Sequence, residues 1–114
     1  MMRIALHSVA REGAIDDYVA HHARVPEELV AVFERAGIHD WTIWRSGDRL
    51  FHVVDCDDWD TAMAVVGADP ANDRWQADIG RFVGFYRGPE GDRAFAPLHQ
   101  VWGLTDQMRD GSVV

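Results

Sequence analysis

The sequence contains no lysine and only one cysteine, Cys56. All eleven basic residues are arginines, against nineteen Asp and Glu, and the net charge is −8 at pH 7. This balance argues against nucleic acid or an acidic membrane surface as a partner, because few cations are present to displace the counterions of a polyanion. A single cysteine cannot form an internal disulfide, which is typical of a reducing compartment and favours a cytoplasmic protein.

Long apolar runs are also missing. No stretch is long enough to cross a bilayer, and no charged segment followed by an apolar one opens the chain, so we expect no membrane association and no secretion signal. With 114 residues and 47% hydrophobic content, the chain can form one domain with an ordinary core. We assign residues 1–104 to that domain and residues 105–114 to a polar C-terminal tail. The expected ligand is neutral or cationic.

The hydrophobic pattern predicts the order strand, helix, strand, strand, helix, strand. This order is typical of an α+β fold of the ferredoxin-like split βαβ type, with an antiparallel sheet and helices on one face. Strands are predicted near residues 2–10, 39–45, 49–55 and 98–104. A long helix is predicted over 15–36, ended by Gly37, and two short helices, 59–66 and 70–83, follow the hairpin. The turn-rich segment 86–93 is predicted to be a loop that closes over a ligand.

The predicted hairpin carries large apolar side chains on both faces. Trp41 and Ile43 point to one face and Trp44 to the other. Helices can cover one face, but so short a chain has no second sheet for the other. We therefore expect a homodimer in which two sheets pack face to face as a dimeric α/β barrel.

A histidine interrupts the apolar face of the first predicted helix. Tyr18, His22, Val25 and Leu29 recur at steps of three and four, so they share one helix face. Pro26 has no N–H for the His22 carbonyl, so the chain should kink or break between them. At such a joint, His22 is either an acid/base group near neutral pH or a buried histidine satisfied by a carbonyl.

A set of residues spread along the chain resembles the L-rhamnose mutarotase family. These residues are Tyr18, His22, Val25, Glu28-Leu29, Gly37, Trp41, Ile43, Leu50-Phe51 and Arg74-Trp75. The resemblance implies a cytosolic, homodimeric isomerase, free of metal and cofactor, that interconverts the α and β anomers of a free 6-deoxy-hexose such as L-rhamnose or L-fucose. It further implies that His22 is the proton donor and that Tyr18, Trp41, Trp75 and Gln76 line the sugar site.

Three positions depart from the family pattern. Trp41 stands where the family usually has Tyr, Val25-Pro26 replaces a Trp-Pro pair one place later, and Gln76 follows Trp75 where some members have a second Trp. Mutarotation needs a base for the anomeric O–H and an acid for the ring oxygen. His22 can serve as both, or share the work with Tyr18 or a second histidine, His7 or His52. We expect Gln76, with Asp78 or Arg74, to bind hydroxyl groups.

Two other functions fit the same pattern. Dimeric α/β barrels of this length include small monooxygenases and haem-handling enzymes, and a non-catalytic metabolite-binding module has the same outward features. A metal site is disfavoured, since His21 and His22 point about 100° apart on a helix and no H-x-x-x-H pair is present.

Overall fold

The computed structural model describes residues 2–85 and 97–110 of the chain. Its strands are β1 (Met2–Ala10), β2 (Ile38–Ser46), β3 (Arg49–Cys56) and β4 (Val83–Phe85). Its helices are α1 (Ile15–His21), α2 (Glu27–Arg35), α3 (Trp59–Gly67), α4 (Pro70–Ile79) and α5 (Leu104–Asp110).

The four strands form one antiparallel sheet in the order β2-β3-β1-β4. Sequence alternation predicts β1, β2 and β3 within a residue or two, and a two-residue turn at Gly47-Asp48 joins the hairpin. Gly47 has φ of 60° there, a conformation that glycine adopts without strain. This strand order, with helices between β1 and β2 and between β3 and β4, confirms the ferredoxin-like split βαβ fold.

The fourth strand lies earlier in the chain than predicted. β4 pairs with Val9 and Ala10 of β1, whereas the predicted strand at 98–104 is wrong. In that stretch the Leu98 N–H donates to the Ala5 carbonyl at 2.8 Å, but residues 98–103 form no regular element. The predicted tail begins instead with α5, whose first turn is closed by a bond from Gln107 N–H to the Gly103 carbonyl. The predicted loop 86–93 lies outside the described residues.

The break in the first predicted helix occurs where the proline requires it. α1 ends at His21, His22 is its C-terminal cap, and α2 begins at Glu27. Pro26 precedes α2 with φ −54° and ψ 138°, so it lies just outside the helix instead of at its first position. His22 therefore lies at the joint that the sequence predicts.

The two faces of the sheet differ sharply. The main core lies between the sheet and the helices and includes Leu6, Leu29 and Val54, each 1% exposed or less. On the opposite face, Trp44 and Phe51 are 55% and 40% exposed in the single chain. The helices α1 to α4 contribute to the core on the face that carries Leu6, Leu50 and Val54, as the sequence predicts.

A β-bulge at the start of β2 sets the direction of its side chains. Ile38 pairs with Cys56 and Asp40 pairs with Asp55, so His39 is an extra residue in β2. If the same residues paired without a bulge, Trp41 would point away from the face that holds Ile38, because side chains alternate along a strand. The bulge is held by Asp57, whose carboxylate lies 2.7 Å from His39 Nε2 and whose N–H donates to the Gly37 carbonyl.

Candidate active site

A cavity of about 610 Å³ lies between the helices and the covered face of the sheet. This volume is typical of small-molecule sites. All five residues predicted for the site line it, namely Tyr18, His22, Trp41, Trp75 and Gln76. They come from α1 and its C-terminal cap, from β2 and from α4, so the fold brings together residues that are far apart in sequence.

The two ring nitrogens of His22 differ, since within the described residues one forms a hydrogen bond with the backbone and the other does not. Nδ1 lies 3.1 Å from the Tyr18 carbonyl oxygen, and because a carbonyl can only accept, Nδ1 carries the hydrogen. The neutral ring therefore has its lone pair on Nε2. The Tyr18 ring stacks on the imidazole at 4.1 Å, and Trp75 contacts it edge-on at 5.0 Å. These contacts hold the ring in one orientation.

Burial lowers the pKa of His22 below its ordinary value. The hydrogen bond to the Tyr18 carbonyl opposes this shift, and the nearby His21 adds a small lowering of the pKa. His22 is therefore neutral at physiological pH, with Nε2 ready to accept a proton. An imidazole in this state suits general base catalysis, and its protonated form is a strong enough acid to return the proton.

On the helix side of the cavity, α4 supplies polar side chains. Asp69 caps this helix by accepting from the Ala71 N–H at 2.9 Å, and Pro70 occupies its first turn. Trp75 and Gln76 face the cavity together with Asn72. Asn72, which we did not predict, lies one helical turn before Gln76, so the helical spacing is the signal that identifies it.

The sheet wall contains a buried hydrogen-bonded row. The Trp41 indole N–H donates to His52 Nδ1 at 3.1 Å, and His52 Nε2 lies 3.1 Å from Ser8 Oγ. His52 is only 2% exposed, and burial, with smaller contributions from His22 and His7, lowers its pKa to about 4. His52 is consequently neutral at physiological pH.

Three residues considered from the sequence are not part of the cavity lining. Arg74 forms an ion pair with Glu28 at 2.9 Å, and Asp78 is an exposed residue of α4. His7 lies on the opposite face of the sheet, stacked on Phe51 at 5.1 Å. Of the three residues considered as helpers for His22, Tyr18 and His52 line the cavity and His7 does not.

Several residues at the cavity have no signal in the sequence. Asp40 and His39 lie beside the bulge, which alternation alone does not reveal.

Across residues 2–85 and 97–110, no group of three or more His, Cys, Asp or Glu is arranged to hold a metal ion. In the same residues, no helix is both long and apolar enough to span a membrane.

The fold resembles several solved structures. An L-rhamnose mutarotase from Formosa agariphila superposes with a TM-score of 0.72 at 15% identity, covering 91% of this chain and 99% of that chain. Tetracenomycin F2 cyclase from Streptomyces glaucescens gives a TM-score of 0.60 at 15% identity, covering 90% and 98%. A protein from Bordetella bronchiseptica classed with the antibiotic biosynthesis monooxygenases gives 0.61 at 20% identity, covering 88% and 96%. At these identities the likeness establishes the fold alone.

The family comparison distinguishes between these neighbours. No curated protein matches the sequence significantly, but the family model described as L-rhamnose mutarotase matches residues 3–104. That match covers nearly the whole chain and favours a mutarotase over a monooxygenase. The chain belongs to the L-rhamnose mutarotase family and is an isomerase that interconverts sugar anomers.

Proposed function

We propose that this chain accelerates the exchange of the α and β anomers of L-rhamnose, with His22 as the acid/base residue. The observation that carries the proposal is the state of His22 in the cavity. Nδ1–H is fixed by the Tyr18 carbonyl, burial keeps the ring neutral, and Nε2 has no hydrogen-bond partner among the described residues. One nitrogen is thus held for orientation and the other is available for chemistry.

The reaction needs only proton transfers and one bond rotation. Nε2 of His22 takes the proton of the anomeric hydroxyl while the bond from C1 to the ring oxygen breaks. The ring oxygen receives a proton from the imidazolium, which gives the open-chain aldehyde and restores neutral His22. The aldehyde group turns about the C1–C2 bond, and the same steps in reverse close the ring as the other anomer. A well-placed general acid/base contributes about 10²- to 10⁴-fold to such a reaction.

The remaining predicted residues are proposed to bind the sugar. Trp41 and Trp75 provide aromatic walls for its C–H faces, and Gln76 provides an amide for its hydroxyl groups. Tyr18 stacks on His22 and contributes its phenol ring to the same wall. Such a mixture of apolar walls with a few polar groups is usual in sites for small ligands.

Saturation-transfer NMR of the anomeric protons tests the activity directly. The wild type is measured on free L-rhamnose and L-fucose beside His22→Ala, with His99→Ala as the matched control on an exposed histidine outside the cavity. We expect accelerated exchange of L-rhamnose, weaker acceleration of L-fucose, and loss of both in His22→Ala alone. Binding of these sugars without any acceleration would contradict the proposal and favour a non-catalytic metabolite-binding module.

We further propose that the protein is a cytoplasmic homodimer. The uncovered sheet face carries Trp44, Phe51 and Val53, and a second copy presents an identical apolar face to it. The single cysteine, Cys56, is fully buried and unpaired, as suits a reducing compartment.

Light scattering during size-exclusion chromatography tests the dimer. The wild type should elute with twice the mass of the chain, and Phe51→Asp should elute as a monomer, because a desolvated charge would face the partner. Val65→Asp, at an exposed apolar position of α3 that does not line the cavity, is the matched charge control. A monomeric wild type would overturn this part of the proposal.

A further inference from the structure

A row of hydrogen bonds crosses the sheet diagonally beneath the cavity. Its members come from three adjacent strands, with Trp41 on β2, His52 on β3 and Ser8 on β1. Both contacts of the central imidazole are 3.1 Å long. His52 is 2% exposed and Ser8 is fully buried, so the row is closed to solvent at two of its three members.

The strand register explains why these three side chains meet. His52 pairs directly with Ile43 on one side and Leu6 on the other. Trp41 and Ser8 each lie two residues from those partners, and such diagonal neighbours are within reach of long side chains. Trp41 takes part only because the bulge at His39 turns its side chain to this face.

The donors in the row leave one arrangement of hydrogens on His52. The indole N–H of Trp41 can only donate, so His52 Nδ1 must accept. The hydrogen of the neutral ring is then on Nε2 and is donated to Ser8 Oγ. A protonated His52 would direct an N–H toward the indole N–H, and burial disfavours that state.

Because of this arrangement, His52 is unsuited to proton transfer but well suited to fix the orientation of Trp41 through a hydrogen bond. Both its ring nitrogens are engaged, unlike those of His22. Its neighbour Trp41 is half-buried, lines the cavity and packs against Phe33 and Trp59 at ring distances of 5.6 and 6.2 Å. Those contacts limit movement of the indole ring, and the bond to His52 fixes which edge faces the sheet.

We propose that His52 is a positioning residue that fixes the indole of Trp41 as the sugar-binding wall of the cavity. The inference rests on the proposed function of this site. With its N–H turned into the sheet, Trp41 presents ring carbons to the ligand, so this wall selects the C–H face of an aldose over a face of hydroxyl groups. His52 thereby determines specificity without contacting the reacting atoms.

The test compares His52→Ala, His52→Gln, Trp41→Phe and the double variant His52→Ala/Trp41→Phe. Removing either partner should raise KM for L-rhamnose about tenfold, the usual scale for one lost buried hydrogen bond. The rate constant kcat should stay within about threefold, because the interaction is made equally in the ground and transition states. The double variant should resemble the single ones, since all remove the same bond. His52→Gln should regain most of the affinity, because an amide oxygen can accept from the indole.

Trp102→Phe is the matched control. Its indole N–H donates to Gln107 Oε1 at 2.9 Å, but Trp102 is 64% exposed and does not line the cavity. Its replacement also removes one indole bond and should leave KM unchanged. A KM in His52→Ala no higher than in Trp102→Phe would overturn the inference, as would an equal fall of kcat and kcat/KM in His52→Ala.

NMR of the wild type gives a test that does not depend on activity or on the folding of a variant. Nitrogen-15 shifts should show His52 with its hydrogen on Nε2 between about pH 5 and 8, and one of the five tryptophan indole signals should move in His52→Gln. If the wild type accelerates no anomer exchange, the proposed function fails, and with it the role of Trp41 as a sugar-binding wall, while these spectra still decide whether His52 holds the Trp41 indole. A hydrogen on Nδ1 of His52 would overturn it.

Discussion

His22 and His52 line the same cavity from opposite walls and differ in what their nitrogens do. Burial lowers the pKa of both, so both are neutral at physiological pH. At His22 one nitrogen is bonded to a backbone carbonyl, whereas at His52 both are bonded to side chains. Burial therefore does not distinguish the histidine proposed as the acid/base residue from the histidine proposed to position Trp41. The engaged nitrogens do, and the predictions that follow separate the two roles.

The largest expected effect is the loss of activity in His22→Ala, which should exceed its loss of stability. His22→Ala should lower kcat/KM for L-rhamnose about 10²- to 10⁴-fold, because no other group takes the anomeric proton. Its free energy of unfolding should fall by about 1–3 kcal/mol, since it loses one hydrogen bond to a backbone carbonyl and the ring contacts with Tyr18 and Trp75. Anomer-exchange NMR and urea denaturation measure the two quantities. If His22→Ala lost its activity because the variant was unfolded, His22 would be a structural residue, like His52.

The second effect concerns stability in acid. The pKa of His52 is about 4 in the folded chain and about 6.5 in an unfolded one. Between these values the unfolded chain binds more protons, so the free energy of unfolding should fall as the pH falls from about 6.5 to about 4. The full loss is on the order of 3 kcal/mol. The lowered pKa of His22 adds a contribution of the same sign.

Urea denaturation at several pH values checks this slope, with His52→Gln as the variant that cannot titrate. The slope of wild type should be the steeper of the two. Equal slopes would show that His52 is not the residue whose titration destabilises the fold in acid.

A smaller effect comes from the far end of the row. Ser8→Ala removes the acceptor of the His52 Nε2–H and leaves a buried donor unpaired. This should cost about 1–3 kcal/mol of the free energy of unfolding, measured by urea denaturation. KM should rise less than in His52→Ala, because the bond to Trp41 remains. A more stable Ser8→Ala variant would contradict the assigned direction of the Ser8 bond.

The smallest effect is on the pH dependence of the rate. If Nε2 of His22 must be unprotonated, kcat/KM falls as the pH drops through its pKa, which lies below the ordinary value. An imidazole of ordinary pKa near 6.5 would lose roughly threefold between pH 7 and 6. The enzyme should lose less, after subtraction of the spontaneous rate. A midpoint above 6.5 would rule out a neutral, buried His22 as the base.

Much of the fold and the site follows from local sequence patterns. Period-two alternation places β1, β2 and β3, and Pro26 predicts the joint that holds His22. The predicted contact of Trp41, Trp75 and Gln76 with one cavity comes from a family resemblance, since alternation and helix period do not show which faces meet. The row through His52 has no local signal, because each of its bonds joins different strands.

In the C-terminal part of the chain, the local hydrophobic pattern predicts the wrong secondary structure. Residues 79–83 continue the apolar spacing of Trp75, but the helix ends at Ile79 and Val83 enters β4 beside β1. Leu98, Val101 and Trp102 have the composition of a strand, but within residues 2–85 and 97–110 only Leu98 has a backbone hydrogen bond to the sheet, donated to the Ala5 carbonyl. Strand formation depends on an available edge as well as on residue type, and sequence does not reveal which edge is vacant.

Side chains alternate between the two faces of a strand, and the extra residue His39 shifts this alternation by one position in β2. Upstream of it, Ile38 is in phase with the core, and downstream the phase moves by one, so that Trp41 and Ile43 face the cavity while Trp44 faces outward. Deleting His39 would remove the bulge and still leave Trp41 on this face, because Asp40 alone would then separate Trp41 from Ile38. The bulge thus decides which residues of this sequence face the cavity, since Thr42 would take the place of Trp41 if the same residues paired regularly. The length of this segment is therefore as informative for comparing related chains as the identity of any residue in it.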